Sequence, residues 1–303
     1  MSAYAAAPPS EPWDRDAEGA LYDGLAALGV AGLELPFTGR LHARDDAWLL
    51  VQLRPDWRFL VTLLPGTMNR LKDDKHFGLA SADADGRRSA LDFAESARRA
   101  VERLHASLGR KAVAAVSLHS APRLAGSGAR ASLEAFAASL TELRGLDWDG
   151  AELLVEHCDA AVPKHAPDKG FLRMEDECAA IAISSGPTPA RVLINWGRSA
   201  IETRSADGPL EHLSRARQAD LLAGLFFSGA TPADPHYGEW KDAHAPFSTS
   251  CPASILTPAA AKAALKEAGE LAYLGIKIQP LPVSLGIPER LAMIRAGLEA
   301  LKP

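Results

Sequence analysis

The chain has 303 residues, a formal net charge of −5, 47% hydrophobic and 23% charged residues, a composition that builds a packed core and excludes disorder. Acidic residues outnumber basic ones and no Lys/Arg stripe occurs, so a nucleic-acid partner is not expected; no apolar run of 18 residues occurs, so no membrane span is expected. The three cysteines, Cys158, Cys178 and Cys251, lack C-x-x-C spacing and suit a reducing, cytoplasmic setting, and Met1 to Pro9 lacks the basic start and apolar run of a secretory signal.

Short apolar runs alternate with helix-period stretches eight times, the pattern of an α/β fold. The expected first strand is Ser2 to Ala7, ending at Pro8-Pro9, and a helix from about Asp14 carries Ala17, Leu21, Leu25 and Leu28 on one face. The second strand is Ala31 to Pro36, followed by a short helix over about Asp45 to Leu53. The third is Phe59 to Leu64, closed by Pro65-Gly66, and a long helix follows with Ala97, Val101, Leu104 and Leu108 at core spacing.

The fourth strand is Ala112 to His119, and its helix buries Leu133, Phe136, Leu140 and Leu143. The fifth is Glu152 to Cys158, with Met174, Cys178 and Ile181 on the next helix. The sixth is Arg191 to Asn195, before a helix from about Pro209 to Asp220. The seventh is Leu222 to Ser228, and a long loop (about 229–256) leads to Thr257-Pro258, an N-cap with proline in the first turn. The eighth is Leu274 to Gln279, and Ile287, Leu291, Ile294, Leu298 and Leu301 form the last amphipathic helix. With no linker or sequence repeat, the expected architecture is one α/β domain over 1–303, a (β/α)8 TIM barrel. A doubly wound sheet is the alternative, but its Gly-rich dinucleotide fingerprint is missing.

A barrel places chemistry at the carboxyl ends of its strands, so polar residues inside apolar strands mark the candidate site. Glu156 follows Leu153-Leu154-Val155, and a carboxylate there needs a cation, a metal or a substrate hydroxyl; its neighbour His157 points behind the barrel wall. Ser117 and His119 share one strand face, as do Lys277 and Gln279. Glu34 either contacts substrate or pairs with a cation such as Arg40, and His119 is an acid/base or a structural histidine. Asn195-Trp196-Gly197-Arg198-Ser199 reads as a tight turn gripping an anion or polyol, unless Arg198 pairs with Glu202. Lys277 is charge-paired, substrate-binding or a Schiff-base nucleophile. Trp240, Lys241 and His244, in the long loop with His236, Tyr237 and Phe247, suit a lid over a ligand or a packed surface extension.

With Gly32-Leu33-Glu34-Leu35, Ser117-Leu118-His119 and Leu154-Val155-Glu156 in this order at strand ends, the chain resembles the xylose isomerase-like barrels, a superfamily of sugar isomerases, ketose epimerases, inosose dehydratases and an apurinic endonuclease branch. The chain most resembles a bacterial branch of unknown function. The resemblance implies a small carbohydrate-like ligand and, in the epimerases, a divalent metal held by a glutamate, an aspartate, a histidine and a glutamate on the fifth to eighth strands. Only Glu156 matches; Asn195, Ser228 and Gln279 stand at the other positions, so a metal held through Glu156 with other groups and a metal-free pocket are both open.

The expected activity is sugar isomerase- or epimerase-like proton transfer next to a carbonyl. Glu156 would be the base, His119 or Lys277 would return a proton or hold the enolate oxygen, and Glu34, Asn195, Arg198, Gln279, Trp240, Lys241 and His244 would bind substrate. A non-catalytic carbohydrate-binding or regulatory barrel and a metal-free lyase or aldolase through Lys277 are the alternatives. Several titratable groups around one small volume would favour an enzyme, and Glu156 locked against Lys277 or Arg198 a scaffold. The sequence fixes no oligomeric state.

Overall fold

The computed structural model describes residues 1–302. The chain runs through α1 (Ala3–Ala6), α2 (Arg15–Ala27), β1 (Gly32–Pro36), α3 (Asp46–Gln52), β2 (Arg58–Thr62), α4 (Leu64–Asp73), α5 (Ala84–Leu108), β3 (Val113–Leu118), α6 (Leu133–Arg144), β4 (Glu152–His157), α7 (Met174–Ile183), β5 (Ala190–Asn195), α8 (Trp196–Thr203), α9 (Gly208–Gln218), β6 (Leu222–Phe227), α10 (Pro258–Ala268), β7 (Tyr273–Ile276) and α11 (Ile287–Ala300). The seven strands pair in sequence order, all in parallel, as expected where each strand is followed by a helical crossover.

The expected first strand is not a strand. Ser2 makes a single parallel bridge to Glu34: its N–H donates to the Ile276 carbonyl (3.1 Å), and the Glu34 N–H donates to the Met1 carbonyl (2.9 Å). Two residues thus fill the place of an eighth strand between β7 and β1. The next four, Ala-Tyr-Ala-Ala, turn into α1, because alanine favours helix and is depleted in strands. Pro65-Gly66 is likewise not a strand stop: it lies in the first turn of α4, where proline loses no hydrogen bond.

Strand side chains alternate between the helix layer and the lumen. The lumen holds a small apolar layer of Leu60, Ala115, Leu154, Leu193, Ala223 and Phe226. Two residues further on the same faces stand Thr62, Ser117, Glu156, Asn195 and Ser228, all buried. Two residues before the apolar layer stand Arg58, Glu152 and Arg191, with Glu152 paired to Arg191 (2.7 Å) and to Tyr273 (2.6 Å). The apolar layer is a floor between a polar ring at each end, and the carboxyl-end ring is the one sealed from water. The main core lies outside it, between the sheet and the helices.

Candidate active site

Glu156 is the hub of the carboxyl-end ring and fully buried. Its Oε2 accepts from Ser117 Oγ (3.2 Å) and faces His119 Nε2 (2.9 Å). Its Oε1 accepts from Asn195 Nδ2 (3.3 Å) and lies 2.6 Å from Arg198 Nη1 and 3.7 Å from Lys277 Nζ. The Arg198 Nη1 contact lies off the hydrogen-bond axis, and Nη2 has no hydrogen-bond partner. Burial opposes ionisation of Glu156, but Arg198, Lys277 and the His119 bond outweigh it and hold the carboxyl well below its ordinary range.

Glu34 does not pair with Arg40, which reaches Asp46 instead. Its carboxylate takes Lys277 Nζ at 2.9 Å and the Ser2 hydroxyl. Burial disfavours the Lys277 charge, yet Glu156 and Glu34 overcome it and keep the ammonium protonated above its ordinary value.

Asn195 and Arg198 differ from the expected tight turn. Asn195 is the N-cap of α8, its Oδ1 accepting from the Arg198 N–H (3.4 Å) and from Ser228 Oγ (2.7 Å). The helix begins directly at the strand end because Gly197 allows it: a Cβ there would stand 2.6 Å from the Ser228 carbonyl oxygen. Arg198 is therefore aimed inward and not at Glu202; beyond Glu156 its Nε donates to Asp242 Oδ2 (3.0 Å).

Asp242 is one of the residues that sequence reasoning missed, with Tyr4, Lys169 and Asp168. It sits in the loop after β6 with only 4% of its side chain exposed and takes Arg198 and Lys169 (3.2 Å), with His244 Nδ1 3.0 Å away but off the hydrogen-bond axis. Burial opposes its ionisation, and Arg198, Lys169 and His244 together hold it well below the carboxylate range. A buried partner for Arg198 was the available signal, since a guanidinium at a strand end needs an anion for each face. Lys169 continues to Asp168 (2.6 Å) and Asp168 to Lys241 (3.4 Å). Glu34, Lys277, Glu156, Arg198, Asp242, Lys169, Asp168 and Lys241 thus form an alternating chain of four carboxylates and four cations across the mouth.

The open space lies beside this chain. A cavity of about 370 Å³ is lined by Tyr4, His244, Gln279 and Arg290, among others. The Tyr4 ring covers Lys277 (5.6 Å), and Arg290 spends its guanidinium on backbone carbonyls including Ala6 and Ala7 (3.1 Å each), fixing α1. His244 has φ +52°, an uncommon conformation for a side-chain-bearing residue; its carbonyl accepts from the Gln279 N–H (2.9 Å). Burial pushes its imidazole below the ordinary value, against the pull of Asp242. Within the same loop, Trp240 carries the Arg204 guanidinium on its ring (5.1 Å), and Lys241 is largely exposed at Asp168; neither lines the cavity. His119 lies under the mouth and borders a void of about 10 Å³, with Nδ1 unpartnered; burial lowers its pKa against the pull of Glu156.

The epimerase-type donor positions do not fit a divalent cation. Glu156 is the only carboxylate among Glu156, Asn195, Ser228 and Gln279, its Oε1 is taken by Arg198 and Lys277, and the Asn195 oxygen is taken by Ser228. A divalent ion on Glu156 would stand against two fixed positive charges.

Solved structures share this architecture. The IolI protein, in a structure described as having a binding zinc atom, is 12% identical, with 93% of this chain and 92% of that one covered and a TM-score of 0.59. D-psicose 3-epimerase, solved in the presence of D-fructose, is 14% identical over 93% and 91% of the two chains, with a TM-score of 0.55. The fold is that of the xylose isomerase-like TIM barrels, with seven strands and the Ser2 bridge. The uncharacterized protein STM3670 of Salmonella typhimurium is 36% identical over 275 residues, 90% of this chain and 86% of that protein. Residues 1–293 match the model of a family described as a domain of unknown function, DUF4862, and the chain belongs to that family.

Proposed function

We propose that this chain is a sugar isomerase- or epimerase-like enzyme that moves a proton next to the carbonyl of a small polyol-like substrate without a divalent ion in its lumen. The observation that carries the reading is the pairing of His244 with Asp242 beside a 370 Å³ cavity, a volume within the range of small-ligand sites. Glu156, held far below neutral pKa by two cations, is a poor proton acceptor. His244 is the better one: it is neutral at physiological pH, and Asp242 is placed to stabilise the imidazolium formed on proton uptake. Gln279 and Tyr4 then meet substrate hydroxyls, and Lys277 and Arg198 supply the positive field that a metal gives in other barrels. The loop over 229–256 serves as the lid that keeps bulk water out.

One observation favours a second reading. Every oxygen of Glu156 is already engaged within the protein, as in a scaffold that binds a carbohydrate without turning it over. A panel of aldoses, ketoses and inososes in D2O separates the two. Saturation-transfer NMR reads binding, and loss of the proton signal next to the carbonyl reads exchange. Binding with exchange supports the enzyme, binding without exchange the scaffold, and neither with any member removes the carbohydrate reading.

A further inference from the structure

Behind the barrel wall, on the opposite face of β4 from Glu156, lies a second cluster. His157 is fully buried. Its Nδ1 lies 2.6 Å from Glu177 Oε2 on α7 and its Nε2 3.0 Å from Glu202 Oε2 on α8. On α9, His212 points Nε2 at the other oxygen of Glu202 (3.5 Å) and Nδ1 at Ser199 Oγ (2.9 Å). The two imidazoles meet edge to face at 4.7 Å, and one ligand atom from each of His157, Glu202 and His212 lies within 4.8 Å of the others.

We infer that His157, Glu202 and His212 form a site for a zinc-class divalent cation, separate from the barrel mouth. Three features point to it. The spacing is the first. A tetrahedral zinc with bonds of about 2.0–2.1 Å keeps its ligand atoms roughly 3.3 Å apart; His157 Nε2 lies 3.0 Å from one Glu202 oxygen and His212 Nε2 3.5 Å from the other, and one ligand atom from each residue lies within 4.8 Å of the others, so a small closing-in of three side chains reaches zinc spacing.

The second is the outer partners. Each histidine turns Nε2 toward Glu202 while its Nδ1 is engaged by a carboxylate or a hydroxyl. With Nδ1–H donating to Glu177 and to Ser199, Nε2 of each histidine would be free to ligate a cation, the arrangement around metal-bound imidazoles; without a cation, His157 Nε2–H donates to Glu202. Glu177 is itself held by the Ser120 hydroxyl, and the Ala160 N–H donates to Glu202 (2.8 Å).

The third is charge. Glu177 and Glu202 bring two negative charges into a buried space, and among the described residues no Lys or Arg pairs with either. Protonation of His157 alone leaves the cluster at −1, whereas a divalent ion with both histidines neutral brings it to zero. The site ties β4, α8 and α9 together.

The test is titration of the chelator-treated full chain with Zn2+, and with Co2+ for its visible absorption. The expected result is one ion per chain and an intense tetrahedral Co2+ spectrum. Glu202→Gln and His212→Gln should each weaken uptake at least about 100-fold, while Glu156→Gln leaves it unchanged. Thermal melts show that each variant is folded. No stoichiometric uptake by the unaltered chain, or uptake that survives both Glu202→Gln and His212→Gln, overturns the inference. Uptake lost in Glu156→Gln but kept in His212→Gln overturns it and the metal-free lumen together.

Discussion

Arg198 Nη1 stands 2.6 Å from Glu156 Oε1 with both side chains fully buried, and the same guanidinium holds Asp242 3.0 Å away. One cation thus bridges two buried carboxylates, Glu156 at the end of β4 and Asp242 in the loop after β6. Removing it leaves Glu156 to Lys277 at 3.7 Å and Asp242 to Lys169 at 3.2 Å, and losing one partner from a buried ion network costs about 3–5 kcal/mol. Arg198→Met is expected to lower stability by that order in denaturant titrations, and Arg198→Met with Glu156→Gln to recover part of the loss.

Lys277 is held protonated between Glu34 and Glu156 and covered by Tyr4. A Schiff base needs the free amine, so borohydride with any binding aldehyde or ketone is expected to add no mass to this residue. A trapped adduct on Lys277, mapped by peptide mass spectrometry, would revive the aldolase reading.

His244→Gln is expected to reduce solvent exchange into a bound substrate by about 10²–10⁴-fold, the usual contribution of a positioned base. The side chain is partly open to the cavity, so the stability change should stay within about 1 kcal/mol. Because burial lowers the pKa of His244, the neutral base persists below pH 6.5; the exchange rate should hold from neutral pH down past that value and fall only at lower pH.

The metal-free protein should also lose stability on the alkaline side. The His157 pKa is raised from 6.5 to about 10 in the folded state. Its stabilising contribution is therefore full below pH 6.5 and is lost as pH rises through 10. Denaturant midpoints measured between pH 6 and 10 in chelator should fall across this window.

The strand order and the carboxyl-end ring were legible because β-period two aligns Ser117 with His119 and sets Glu156 two residues beyond Leu154, so buried polar residues stand out against Leu-Leu-Val runs. The ends of elements were harder to read. Ala3–Ala6 and Trp196–Thr203 are short helices too brief to show a periodic stripe, and Gly197 marks a close approach to Ser228 where it reads as a turn. Partners were hardest. Asp242 reaches Arg198 from 44 residues away, and Glu202, four residues from Arg198, instead faces His157 and His212. Such pairings are set by how α8 leaves β5, which local pattern does not encode.

The proposed reaction runs on His244, with Arg198 and Lys277 held against Glu156, and needs no divalent ion in the lumen. The most direct measurement is solvent deuterium exchange into a bound ketose or inosose, followed by NMR with EDTA and again with added Mn2+ or Zn2+. An exchange rate unchanged by chelator and by metal, but lost in His244→Gln, is the predicted result. Exchange abolished by EDTA and restored by the ion, with Glu156→Gln as the inactive variant, would contradict the account.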